Sequence, residues 1–155
     1  MSLESVREFL ARHAPDLSII ELGESTATVA LAAKGHGIEP GQIAKTLSLK
    51  AGERKFLVVT RGDARLDNKK AKAAFGGKVT MLGPEEVLAA TGHEVGGVCP
   101  FGLSTELPVY CDLSLKDFEE VVPAAGSTHS AVRINTLRMA ALVKAQWVDV
   151  CRRPG

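Results

Sequence analysis

The sequence predicts an α+β fold built on a mixed sheet, and three observations predict it. Strand-like segments at 46–50 and 55–60 follow one another directly, and those at 108–111, 118–122 and 131–134 run on with no helix between them. Helices are thus missing where a doubly wound parallel sheet would need its crossovers. Third, 155 residues suit one compact domain, here residues 1–155, which buries roughly 68–70% of its unfolded surface without a metal or disulfide staple.

The elements follow from local signals. Ser2 is placed to cap a first helix through Ala11, with Val6, Phe9 and Leu10 on one face and Glu4, Arg7, Glu8 and Arg12 on the other, and Pro15 lies beyond its end. Leu17 to Leu22 reads as a strand, and Thr26 to Lys34 as a small, apolar helix stopped by Gly35 and Gly37. Pro40 begins a short helical turn. Thr46 to Lys50 and Lys55 to Thr60 form a hairpin around Ala51-Gly52-Glu53-Arg54.

Asp67 or Asn68 caps a basic helix through Phe75 that Gly76-Gly77 ends, and Lys78 to Leu82 is a strand. Pro84 opens the helix Glu85 to Ala90, closed by Gly92. Pro108 to Cys111, Phe118 to Val122 and Ala131 to Ile134 are strands. Thr136 caps a helix from Leu137 to Lys144, and Trp147 to Cys151 is the last strand.

Composition excludes several classes. With 19 basic and 18 acidic side chains the net charge is +1, too small for a protein that coats nucleic acid non-specifically. No apolar run approaches the ~20 residues of a membrane span, so no membrane partner is expected. Cys99, Cys111 and Cys151 are odd in number and form no CxxC pair, which reads as reduced thiols in a cytoplasm.

The stretch Gly96 to Gly102, Gly-Gly-Val-Cys-Pro-Phe-Gly, leaves few side chains in the way of a ligand and can offer backbone N–H groups. Lys45 stands before an apolar strand, where it either snorkels at a sheet edge or holds a phosphate at a pocket rim. His129, flanked by Ser127, Thr128 and Ser130, is a solvated turn residue or part of a polar cluster around a small ligand. Cys99 is either a small core hydrophobe or a nucleophile with His129 or His93 as base, and the latter makes the chain a cysteine hydrolase of small esters. His13, His36 and His93 lack metal-ligand spacing. Arg65-Leu-Asp-Asn-Lys-Lys-Ala-Lys72 carries five charges, four basic, as a solvated helix face or a phosphate contact.

Taken in order, Gln42-Ile-Ala-Lys-Thr-Leu, Arg65-Leu-Asp-Asn-Lys-Lys, Val95-Gly-Gly-Val-Cys-Pro-Phe-Gly and Gly126-Ser-Thr-His resemble the YbaK/ProX family, free-standing relatives of the editing domain inserted in bacterial prolyl-tRNA synthetases. The resemblance spans most of the chain. It implies an α+β domain with a mixed, barrel-like sheet flanked by helices, which hydrolyses the ester of mischarged tRNA, proline tRNA carrying a small amino acid such as alanine or cysteine. No cofactor or metal is implied. Lys45, Gly97 and Gly102 fall on the family's functional positions, with backbone N–H groups stabilising the oxyanion and water as nucleophile. Thr46, Val98, Cys99, Pro100, Ser127 and His129 would contact substrate, and Ser25-Thr-Ala-Thr28 would shape the aminoacyl pocket. Other members lack the histidine. The expected partners are the mischarged aminoacyl-tRNA and a synthetase or elongation factor that delivers it. The alternative is a non-catalytic module that binds tRNA ends or a synthetase.

Overall fold

The computed structural model describes residues Ser2 to Pro154. Its scaffold is a seven-stranded mixed sheet, curled into a half-barrel. Strand β2 (Ile43–Ala51) turns at Gly52, in the left-handed region with φ 62, and returns as β3 (Arg54–Arg61) in full antiparallel register, Leu49 opposite Phe56 and Lys45 opposite Thr60. Parallel β6 (Val109–Asp112) adds to β3, and parallel β10 (Gln146–Val148) to β6. On the other side β2 has two partners. Antiparallel β5 (Val79–Met81) pairs with its far end at Leu49 to Ala51, and parallel β7 (Glu120–Pro123) with its near end at Ile43 and Ala44. β9 (Ile134–Asn135) completes the sheet beyond β7.

Among the described residues five α-helices cover this sheet. α1 (Ser2–His13) packs Val6 and Leu10 into the largest core cluster, with Leu57 and Val59 of β3 and with Cys99 and Phe101. Each large side chain buried there contributes roughly 1.5–3 kcal/mol. α3 (Asn68–Phe75) closes the other face, where Phe56, Phe75 and Tyr110 stack with centroids 4.3–5.7 Å apart. α2 (Val29–His36) lies over Ile43 and Val122, and α4 (Pro84–Thr91) packs Val87 and Ala90 on Leu82. α5 (Thr136–Leu142) joins the main core through Met139 and Ala140. Among the described residues no helix is long and apolar enough to cross a membrane.

Several expected elements are corrected by longer-range bonding. Ser2 lies inside α1 rather than capping it, and its hydroxyl reaches Gly92 O (2.9 Å) and His93 Nδ1 (2.7 Å). Asn135, not Thr136, caps α5, because Thr136 donates its hydroxyl to Phe118 O at 2.5 Å. The strand expected over 17–22 shrinks to β1 (Ile20–Glu21), paired with β8 (Ser130–Ala131). Residues 131–134 split between β8 and β9, which serve different sheets. The final strand breaks at Asp149 and Val150, where Asp112 accepts from Val150 N at 2.8 Å, leaving β11 (Cys151–Arg152) to pair with β4 (Arg65–Leu66). The helix expected to Lys144 stops at Leu142, and Lys144 turns left-handed with φ 55.

Candidate active site

The site begins with a gap. β5 and β7 both pair with β2 on the same edge, but at opposite ends, so among the described residues the middle of that edge has no strand beside it. Backbone groups alternate between the two edges of a strand. Ser48 O faces the β5 side, where it accepts from Leu82 N at 2.9 Å. Two residues earlier, the N–H and C=O of Thr46 point the same way, into the gap. The Thr46 hydroxyl oxygen is itself buried without a hydrogen-bond partner among the described residues.

A cavity of about 340 Å³ fills this gap, within the range of small-molecule sites. Its floor is Ala44, Thr46 and Ser48 of β2 with Val122 and Ala124. Thr26, Ala27 and Thr28 wall it at the start of α2, where the Thr28 side chain accepts from Leu31 N and caps the helix. Leu82, Pro84 and Val87 close one side, and Val95, Gly96 and Val98 form the lip. Val95 and Met81 are exposed at the mouth, an apolar rim around a pocket whose polar groups are mostly hydroxyls.

The structure brings some of the expected residues together and separates others. Lys45, Thr46 and Val98 line the cavity. Gly97, Cys99, Pro100, Gly102, Ser127 and His129 are outside its lining. Lys45 belongs to the face of β2 opposite Thr46, and its Nζ donates to Ala64 O at 2.6 Å. Burial lowers the ammonium's pKa, a pull that neighbouring Asp63 opposes. Gly97 spends its N–H on Glu94 O, and a Cβ there would sit 2.7 Å from Ser127 N. A Cβ on Gly102 would meet Ser5 O at 2.6 Å, so this glycine lets the loop touch α1.

Cys99 is fully buried in the main core, and burial pushes its thiol up to about 12. Its sulfur lies 3.6 Å from both His93 Nε2 and Phe101 O. Phe101 O can only accept, so His93 Nε2 carries a proton in their 2.7 Å bond, while burial pulls the ring's pKa down and its Nδ1 faces the Ser2 hydroxyl. That pair ties α1 to the loop and supplies no thiolate, which removes the basis of a cysteine hydrolase. His129 is exposed, with Nδ1 2.8 Å from the Thr128 hydroxyl, and the imidazole beside the Cys99 sulfur is that of His93. Ser127 instead bonds Ser130 Oγ at 2.6 Å; of the polar cluster around His129 it is Ser130 that lines the cavity, Gly96 does so from the glycine-rich stretch, and Ser48 is the lining residue the sequence did not single out. Alternation along β2 from Thr46 was the available signal for Ser48.

Comparison with known proteins places this geometry. The family described as the Aminoacyl-tRNA editing domain matches residues 23–142, which hold every wall of the cavity. The chain belongs to the aminoacyl-tRNA editing domain family. Within that family it is 44% identical over 154 residues to the uncharacterized protein YwhH of Bacillus subtilis (strain 168), covering 98% of each chain. It is 30% identical to EbsC of Enterococcus faecalis, a candidate Cys-tRNA(Pro)/Cys-tRNA(Cys) deacylase, over 76% of this chain and 73% of that protein. A crystal structure of a candidate trans-editing enzyme for prolyl tRNA synthetase superposes with TM-score 0.90 at 35% identity, over 99% of this chain and 98% of the other. The editing domain also matches the proline–tRNA ligase of Bacillus licheniformis at 32% identity over 67% of this chain, but spans 18% of that ligase.

Proposed function

We propose that this chain is a single editing domain over residues 1–155 that acts in trans as an aminoacyl-tRNA deacylase, releasing a small amino acid such as alanine or cysteine from proline tRNA in the cytoplasm. The observation that carries this reading is the cavity at the gap in β2. It offers an unpaired backbone edge and an unpartnered hydroxyl at Thr46 inside otherwise apolar walls. Hydroxyls and carbonyls suit the ammonium and ester of an aminoacyl group, and the apolar walls suit a short side chain. The family supports hydrolysis of an aminoacyl ester, and the relatives' names point to prolyl tRNA.

Ester hydrolysis passes through a tetrahedral oxyanion that needs donors already aimed at it. Gly97's own N–H is engaged, but among the described residues the N–H groups of Gly96 and Val98, on the lip, have no partner. They take the donor role on this reading, with Gly97 fixing the bend between them against Ser127. Among the described residues no histidine or carboxylate lines the cavity to activate its hydroxyls, so on this reading water attacks the ester. Lys45 directs its ammonium toward the Asp63–Arg65 turn, and two of its three donors remain beyond Ala64 O to hold the phosphate or ribose of the terminal adenosine. A synthetase or elongation factor delivers the tRNA.

The test is a panel of mischarged tRNAs followed for release of the amino acid, with Lys45→Ala beside the wild type. Release from alanyl- or cysteinyl-tRNA(Pro) is expected, with a loss of about 100-fold or more in the variant. Circular dichroism of the variant should stay native. Tight tRNA binding with no release from any member of the panel would instead identify a binding module.

A further inference from the structure

Beyond the cavity, the turn that receives Lys45 opens onto a second concavity of about 450 Å³, lined by Asp63, Arg65, Arg152, Arg153 and Pro154. Its charges do not cancel within the fold. Asp63 is held by Arg61 through two contacts of 2.6 and 3.1 Å, and Arg153 by Asp117 at 2.6 and 3.3 Å, with Arg61 also bonding Asp117 at 3.0 Å. These two arginines and two aspartates neutralise one another. Arg65 has no carboxylate partner among the described residues, and Arg152 has only a 3.7 Å contact to Asp67 Oδ2. Asp67 is mainly occupied through its other oxygen, which caps α3 at Lys69 N and Lys70 N.

The register sharpens the point. Arg65 and Arg152 are direct partners across the antiparallel pair β4–β11, so both side chains leave the ribbon on the same face. Like charges directly opposite one another destabilise a strand pair. Leu66 and Cys151, the neighbouring partners, point inward to the core under α3 and explain the pairing itself, but not the arginines. Two guanidinium forks with unused donors, converging on one groove, match the oxygens of a phosphate.

We propose that Arg65 and Arg152 form a phosphodiester-binding groove for the single-stranded end of an RNA, adjoining the Lys45 ammonium through Ala64. This rests on the editing reading for the identity of the RNA. The strand then runs over β4–β11, passes Lys45 and delivers its terminal ester to the gap beside Thr46. The groove supplies strand capture to a protein whose net charge is only +1.

Uncharged tRNA and a short CCA-ended RNA, titrated by fluorescence anisotropy over a sodium chloride series, test this with wild type and the double variant Arg65→Gln/Arg152→Gln. The variant should bind about tenfold more weakly at low salt, and its slope of log affinity against log salt should be shallower by roughly 1.4, about 0.7 for each phosphate of a single strand. Its thermal midpoint should hold or rise by about one or two degrees, since the opposed charges are gone. Unchanged affinity and slope would overturn the groove. So would inorganic phosphate that saturates the arginines, followed by NMR of their side chains, without displacing RNA. Because the RNA is uncharged, the readout is independent of hydrolysis: a shallower slope with a failed deacylation panel strikes the editing reading alone, and a successful panel with an unaltered slope strikes the groove alone.

Discussion

The loop from Gly96 to Gly102 divides into two halves that do opposite things. Gly96 and Val98 face the cavity, whereas Cys99 and Phe101 are wholly buried under α1 and Gly102 is pressed against the Ser5 carbonyl. The same glycine-rich composition therefore opens the chain to a ligand at one end and to another backbone at the other. What separates the halves is the neighbour that occupies the space where a side chain would be.

Gly102→Ala breaks the comparison most severely if the buried half is structural. Its φ of +58 and the 2.6 Å approach of Ser5 O together predict a loss of about 2–4 kcal/mol in urea unfolding. A stable variant with lowered activity would instead move Gly102 to the catalytic side. Val98→Ala probes the cavity half. Stability should fall by only about 1 kcal/mol, while discrimination between alanyl and bulkier aminoacyl esters, measured as a ratio of kcat/KM, should relax about tenfold. An unchanged ratio would take Val98 out of the aminoacyl pocket.

Smaller again is the pH response of the buried half. Burial holds His93 below the ordinary histidine value of 6.5. As pH drops below about 6.5 the unfolded chain takes up a proton that the folded protein resists, so stability declines in that window and is flat above it. His36, also lowered by burial, adds to the same slope. The lowered carboxylates Asp63 and Asp117 lose their contribution only further down, below their ordinary 3.8. His93→Gln should therefore make the thermal midpoint less dependent on pH between about 6.5 and 5, and an identical profile would show that the ring titrates freely. The least effect is expected of Cys99→Ser: unaltered deacylation, stability within about 1 kcal/mol because the hydroxyl can still donate to Phe101 O, and no alkylation of Cys99 in the native wild type. Loss of turnover on iodoacetamide treatment would restore the thiol.

Elements with local causes were legible in the sequence. The hairpin around Gly52, the Asp67 cap and the glycines that end α2, α3 and α4 each depend on residues within a few positions of one another. Elements with distant causes were not. Ser2 prefers His93, Thr136 prefers Phe118, and Asp112 draws Val150 out of a strand, and each choice is made by a partner tens of residues away or by packing. The candidate site divides in the same manner. Gln42-Ile-Ala-Lys-Thr-Leu marked the right strand, but which of Lys45 and Thr46 turns its side chain toward the cavity face is a matter of register. The Arg65 to Lys72 run read either as a solvated helix face or as a phosphate contact, and what the sequence could not show is that Arg65, ahead of the helix, stands opposite Arg152.

The interrupted edge of β2 is a barrel with one stave left out. A ligand seated there is in effect the missing stave, and its first partner is an amide that until then has had none. Backbone hydrogen exchange at Thr46 should therefore slow when a non-hydrolysable substrate analogue binds, while Leu47, whose N–H already faces β3, should not change. The same edge is also a place where an extended peptide could add itself. The narrow span between β5 and β7 leaves room for a single residue's pairing, which admits an ester and shuts out a strand.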